Sequence, residues 1–483
     1  MKLLYSLLLL APAGTALAQT PATFAISTYT AGANSLPRGI AVADVNGDGR
    51  LDLVTANYGG DAAGVLLGQA GGGFAAVTTY SASASSQPSG IAVADMNGDG
   101  RLDLVTANFG IFSAGVLLGQ AGGGFAPVTK YYTVTYLTYH GGSPSEITVA
   151  DVNGDGRPDI VTANTGSNTA GVLLAQASGG FATVTTYSTG GSIPHGIAVA
   201  DVNSDGRPDL VTANQYSNTA GVLLGQAGGG FAAVTTYSTG VYSQPLDIAV
   251  ADVNGDGRPD LVTANQYSDA AGVLLGQASG GFAAVTAYST GANSQPSSIA
   301  VADVNGDGRP DLVTANYGTH TVGVLLGQAS GGFAAVTAYS TGANSQPSSI
   351  AVADVNLDGK PDLVTANNNT NDVSVLLNTT PAYLPTRAAL PGASATLFPN
   401  PANTSATLTA TGLPAAARTV EATLLSPIGQ VVRRLSMPAA LGAATGSIPT
   451  AGLAPGLYLL RLAAVDAQGA ALGELPVQRL SVE

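Results

Sequence analysis

Beyond residue 20 the apolar residues come in short runs, each stopped by glycine, proline, asparagine or aspartate before a helix could establish itself. Between residues 37 and 80 the runs are Ile40 to Ala43, Leu53 to Asn57, Gly64 to Leu67 and Phe74 to Tyr80, a pattern that predicts four short strands. Turn residues separate them. An aspartate-rich loop joins the first pair, Gly59-Gly60 lies between the second and third, and Ala70-Gly71-Gly72-Gly73 between the last two. One proline precedes each such group, at Pro37, Pro88, Pro144, Pro194, Pro245, Pro296 and Pro347. Proline has no N–H to give a ladder, so these positions are expected outside the central strands.

The aspartate loop recurs seven times, its leading residue at Asp44, Asp95, Asp151, Asp201, Asp252, Asp303 and Asp354, at intervals of 51, 56, 50, 51, 51 and 51 residues. Four strands repeated at this period suit a propeller blade. The seventh unit lacks a fourth strand and runs into Thr379-Thr380-Pro381, while Phe24 to Thr30, ahead of the first unit, matches Phe231 to Tyr237. An N-terminal strand that completes the last blade would close the ring and remove its open edges. The fold class is therefore all-β: a seven-bladed β-propeller closed by an N-terminal strand, then a small C-terminal β-sandwich-like domain. The expected boundaries are 1–18 for a signal peptide, 19–380 for the propeller, 381–393 for a linker and 394–483 for the last domain.

Composition sharpens this picture. Charged residues make up 10 % of the 483, glycine reaches 64 and cysteine is absent, so neither a disulfide framework nor a thiolate site holds the fold together. Lys2, the apolar stretch Leu3 to Leu10 and Ala16-Leu17-Ala18 read as a secretory signal with its cleavage site, which implies export and predicts no transmembrane span. The formal charge of −14 disfavours nucleic acid as a partner.

Each loop has the form Asp-x-Asn-x-Asp-Gly-x-x-Asp. Oxygen side chains at positions one, three and five curl around a hard cation, position seven gives a backbone carbonyl while its side chain points to solvent, and the last carboxylate closes the shell. The expected calcium ligands are Asp44, Asn46, Asp48, Arg50 and Asp52; Asp95, Asn97, Asp99, Arg101 and Asp103; Asp151, Asn153, Asp155, Arg157 and Asp159; and Asp201, Asn203, Asp205, Arg207 and Asp209. Asp252, Asn254, Asp256, Arg258 and Asp260, then Asp303, Asn305, Asp307, Arg309 and Asp311, and finally Asp354, Asn356, Asp358, Lys360 and Asp362 complete the set. These loops hold 21 of the 30 acidic residues. Crowding three like charges into each loop is costly without a counter-ion, so about seven Ca²⁺ ions are expected as the cofactor.

With these residues in view, Ile-Ala-Val-Ala-Asp-Val-Asn-Gly-Asp-Gly-Arg-Pro-Asp-Leu-Val resembles the FG-GAP, or VCBS-type, repeat over about residues 21 to 380. The resemblance extends to the integrin α-subunit propeller and implies metal loops on one face with partners meeting the other. Past the linker, Leu397-Phe398-Pro399-Asn400-Pro401, Ile428-Gly429-Gln430 and Pro455-Gly456-Leu457-Tyr458 together resemble the type A sorting domain of type IX secretion. That implies passage through the outer membrane by the secretion machinery, to an extracellular or outer-surface location.

For function, His140, His195 and His320 read as dispersed loop residues, and the propeller carboxylates outside the loops, Asp61, Glu146, Asp247, Asp269 and Asp372, show no recurrent acid–base spacing. The expectation is a binding protein and not an enzyme: an adhesin, or a binder of an extracellular glycan or protein. The alternatives are a propeller module of a polysaccharide-degrading lyase or glycosidase and a passive calcium-stiffened spacer. Asparagine and tyrosine recur on the face opposite the metal loops, and the long second interval holds extra aromatics, so the expected partner residues are Tyr131, Tyr132, Tyr136, Tyr139, Tyr216, Tyr267 and Tyr317.

Overall fold

The computed structural model describes residues 21–483 except 71, 135–141, 228–229, 330, 381–389, 391, 401, 403, 426–430, 452, 454–455, 468–470 and 483. The expected signal peptide, most of the expected linker, and Tyr136, Tyr139 and His140 lie outside the described residues. The chain divides into two compact units, Met1–Thr379 and Thr380–Glu483. No helix among the described residues is long and apolar enough to cross a membrane.

The first unit is a seven-bladed propeller of four-stranded antiparallel sheets. Six blades use consecutive strands, as in Pro245–Ala251, Asp260–Asn265, Ala270–Leu274 and Thr286–Ser289. The seventh takes its outer strand from Phe24–Thr30, which pairs with Asp372–Asn378 from Phe24 opposite Asn378 to Thr30 opposite Asp372. Innermost strands of neighbouring blades pack side by side around the whole ring, the first against both the second and the seventh.

Every blade is sandwiched between two others, which explains why its second strand reads as one apolar run with no alternation. All of Asp52–Asn57 is buried. Leu53 packs with Ile40 and Leu66 against Val364, Ala366 and Val373 of the seventh blade, while Val54 and Ala56 face Ile91, Leu104 and Leu117 of the second. Tyrosine and phenylalanine lock the outer edges. Tyr237 meets Phe282 of the next blade edge to face at 5.2 Å, and the ring closes with Phe24 against Tyr339 at 4.9 Å.

Two expectations change. The fourth strand is shorter than the run from Phe74 to Tyr80: it spans Thr78–Ser81, because Phe74 makes one isolated bridge to Gly68 and turns its ring into the inter-blade core. The prolines do not lie outside the central strands. Each opens an innermost strand, as Pro37 opens Pro37–Ala43, and a bulge follows at once, where the pairing shifts between Pro37 and Gly39. A proline at the first strand position forfeits no ladder bond, and the bulge re-aims the next side chain.

The second unit is one seven-stranded sheet folded into two layers around a core that includes Leu408, Val420, Leu424, Ile448, Leu460 and Leu480. Ser394–Phe398, Ser405–Thr411 and Ala443–Pro449 form one layer, and Val431–Ala440, Thr419–Leu425, Gly456–Val465 and Ala471–Val482 the other. The strands of the two layers pair at the turn, through Ala439 with Ala444 and Ala440 with Ala443. Asn400 ties its opening segment to the last strand, donating to the Arg479 carbonyl at 2.6 Å and accepting from the Ser481 N–H at 2.8 Å.

Candidate functional site

The aspartate loops occupy one end of the blades. In the first, the Asp44 carboxylate accepts the N–H groups of Gly47 at 2.8 Å, Asp48 at 3.0 Å and Gly49 at 2.7 Å, so the backbone wraps around it. Gly49, at φ 83°, allows that turn. Asp52 is fully buried, and its two oxygens accept from Val45 at 2.9 Å and from Gly68, on the adjoining hairpin, at 2.7 Å. The same arrangement repeats around the ring. The Arg50 side chain stays 40 % exposed yet folds back over its loop, pairing with Asp48 and donating from Nε to the Gly68 carbonyl at 2.9 Å, so one guanidinium offsets one of the loop's three carboxylates. Arg101, Arg157, Arg207, Arg258 and Arg309 do the same.

These loops resemble calcium-binding loops, and their chemistry fits a hard cation because every donor is an oxygen. The buried last carboxylates carry no basic partner among the described residues. Burial raises all seven above the usual range, with Asp311 pushed up to about 7 and Asp362 to about 6 against the bonds that hold them. No three acidic or histidine side chains converge on one point among the described residues. Asp48 is engaged by Arg50, so a cation would have to draw it away.

A pocket of about 340 Å³ opens at the other end of the innermost strands, on the propeller axis. The bulge behind each proline turns one residue per blade toward it: Arg38, Ser89, Ser145, His195, Leu246, Ser297 and Ser348. The serines stitch neighbouring blades, as Ser89 donates to the Pro144 carbonyl at 2.9 Å and Ser297 to that of Pro347 at 2.8 Å. His195 Nδ1 lies 3.2 Å from the Leu246 carbonyl in the same role. One residue further along, Glu146 and Asp247 face the axis where three other blades have Gly39, Gly90 and Gly196. A Cβ on Gly90 would come within 3.0 Å of Glu146 Oε1, and one on Gly196 within 3.1 Å of Asp247 Oδ1, so the glycines leave room for the two carboxyls.

Electrostatics separates the two acids. Asp247 accepts from Ser298 Oγ at 2.8 Å, the Ile299 N–H at 2.9 Å and the Ile248 N–H at 2.7 Å, which oppose the upward push of burial. Glu146 has one long bond, 3.3 Å from the Ile147 N–H; burial, then the charge of Asp247, raises it to about 8. Burial, then the Arg38 charge, lowers His195 to about 4. At neutral pH the pocket therefore presents a protonated Glu146 carboxyl, a neutral imidazole and a guanidinium, beside the Asp247 carboxyl that burial raises against its three hydrogen bonds. Together they can donate to, accept from and exchange protons with a bound polar molecule.

His195 is thus no dispersed loop residue, and Glu146 and Asp247 are brought to one pocket although they are 101 positions apart in the sequence. The missed signal lay in the repeat frame: Arg38 and His195 directly follow their blade's proline, and Glu146 and Asp247 stand one position later. His320, Asp61 and Asp269 serve the loops between blades, while Asp372 accepts from Asn367 and Thr370 within its own hairpin. His320 accepts the Gln346 N–H, Asp61 those of Ser85 and Gln87, and Asp269 those of Asn293 and Gln295.

The tyrosines divide. Tyr131 packs edge to face on Phe181 at 4.9 Å, the position of the locking tyrosines, and Tyr132 is 60 % exposed. Tyr317 lines the pocket and donates to Gln346 Oε1 at 2.9 Å. Tyr216 and Tyr267, 63 % and 68 % exposed, directly follow the pocket residues Gln215 and Gln266. The asparagines ending the second strands are buried and structural; Asn214, for example, donates to the Thr189 carbonyl at 2.9 Å.

Residues 44–106, 151–212, 201–263, 252–314 and 303–365 match the FG-GAP-like repeat, more than half of the chain, and the protein belongs to that family. Residues 396–470 match the secretion system C-terminal sorting domain. The protein is accordingly a type IX secretion substrate with an extracellular or cell-surface destination. No curated protein matches the chain. Among solved structures, BBS1N in complex with ARL6DN is similar at TM-score 0.50 and 11 % identity, covering 74 % of this chain and 98 % of that one. An Agrocybe aegerita lectin that recognises non-reducing terminal N-acetylglucosamine is similar at TM-score 0.44 and 21 % identity, covering 68 % and 85 %. The periplasmic gluconolactonase PpgL of Pseudomonas aeruginosa is similar at TM-score 0.48 and 18 % identity, covering 65 % and 95 %. The expectation that the protein is not an enzyme is corrected here: lactonases stand among the structures of similar architecture, so the fold gives no ground for excluding catalysis. At these identities the likeness is one of fold and assigns no reaction to this chain.

Proposed function

We propose that this protein is a calcium-braced, secreted propeller that binds a polyhydroxylated ligand, a glycan, in its axial pocket on the face opposite the aspartate loops. The observation that carries this reading is the pocket itself. Its wall mixes amides, hydroxyls and ionisable groups, with the Tyr317 ring at its edge. Such a surface can donate to and accept from many hydroxyls while an aromatic face covers a sugar ring. Tyr216 and Tyr267 extend the aromatic surface beyond the rim. About seven Ca²⁺ ions, held by the loop residues named above, brace the ring. At ~2 mM Ca²⁺ and a Kd of about 0.1–1 mM, each adds roughly 0.6–1.8 kcal/mol. Residues 394–483 act in export and 19–380 form the binding part. The test is a glycan-array screen of the full mature chain in calcium, repeated with Gln215 and Gln266 changed to alanine, with product formation followed in the same wells. Binding confined to the parent protein supports the pocket. Binding unchanged by the double substitution removes the ligand from it.

A further inference from the structure

Arg38 stands apart from the other propeller arginines. Each of the six loop arginines pairs with an aspartate of its own loop. Arg38 makes no ion pair and no side-chain hydrogen bond among the described residues. Its guanidinium lies 3.5 Å over the Tyr58 ring, which fixes its plane and leaves its N–H edge free. It also departs from the other bulge positions, where Ser89, Ser145, Ser297, Ser348 and His195 engage the next blade's backbone. Nothing in the ring's architecture requires an arginine there, since serine performs the stitching in four of the seven blades. Arg38 is exposed, so its unused planar fork is open to an incoming anion, and a carboxylate matches that fork with two parallel bonds.

The hydroxyl-binding groups lie in the same pocket. Asp247 is held by three donors, and Glu146 reaches into the space left by Gly90. The wall toward Arg38 reads an anion and the wall of blades three to five reads hydroxyls. From this division we infer that the ligand is a carboxylated sugar, a uronate or another sugar acid, with its carboxylate on Arg38 and its hydroxyls toward Glu146 and Asp247. This rests on the glycan reading above and narrows it to acidic saccharides.

The experiment is calorimetric titration of the full mature protein in calcium with a galacturonate trisaccharide, its methyl ester, 3′-sialyllactose and lactose. The acid is expected to bind about 10- to 100-fold tighter than its ester, the effect of one charge-assisted pair. Arg38→Gln is expected to abolish that ratio while ester affinity stays within about twofold, and Arg38→Lys to restore part of it. A preference for sialyllactose over lactose with no uronate binding places a sialic acid on Arg38 and retains the carboxylate reading. Equal affinity for acid and ester in the parent protein overturns the inference, as does an equal loss for both in an Arg38→Gln variant that melts like the parent. If none of these saccharides binds, yet a neutral glycan from the array does, the inference fails and the glycan reading stands. If no glycan of any kind binds, both fail.

Discussion

The two ends of the propeller obey different rules. At the aspartate end the seven blades repeat one design almost letter for letter, and Asp44, Asp252 and Asp303 make the same bonds to their loops. At the axial end the equivalent positions diverge: the bulge residue is serine in four blades but arginine, histidine and leucine in the other three, and two of the next residues are acids. Repetition suits a task every blade shares, which is bracing the ring. Divergence suits recognition, because a ligand without sevenfold symmetry needs different groups on different sides.

This contrast can be broken by experiment. Chelation should have the largest effect: seven loops at roughly 0.6–1.8 kcal/mol each lower the melting temperature by about 10–25 °C, reversibly. Melts that superimpose in EDTA and in calcium would remove the bracing role from the aspartate end. Next in size, Asp256→Ala should lower the melting temperature by about 1–4 °C in calcium and by much less in EDTA, since one loop in seven is lost. An equal drop in both conditions would make the aspartate a turn former and no metal ligand.

The axial end should respond to pH. Because Glu146 is raised from 4.5 to about 8, its burial costs nothing below pH 4.5, and stability falls as pH rises toward 8. Glu146→Gln should therefore melt with the parent at pH 4 and a few degrees above it at pH 9; coincident melts at pH 9 would show a Glu146 well solvated in the channel. His195 works in the opposite direction, its stability contribution lost as pH falls from 6.5 toward 4. The smallest effect on folding belongs to Gln266→Ala, a rim change expected to shift the melt by under about 1 °C while weakening ligand binding severalfold. A large melting shift there would make the rim structural, like the aspartate end.

Much of this was legible from residues alone, for reasons that differ by region. The blade count, the closing strand and the metal-type loops follow from local chemistry repeated at a fixed period, and Phe24 to Thr30 paired where its likeness to Phe231 to Tyr237 placed it. The short fourth strand was misread because Phe74 looks like a strand residue until a neighbouring blade accepts its ring. The ion pair that six loop arginines make, as Arg50 does with Asp48, is not legible in the spacing, because the aspartate reads equally well as a metal ligand.

What the sequence determined by itself is whatever each blade settles within its own fifty residues: strands, turns, loops and the order of the ring. What only the tertiary structure decided is the pocket. Arg38, Glu146, His195 and Asp247 come from four blades, and no local pattern links them. Closing the circle sets these positions side by side, and a bulge behind each proline turns them toward the axis. Their charges acquire meaning there, because burial and mutual repulsion hold Glu146 protonated and His195 neutral only when seven innermost strands surround them.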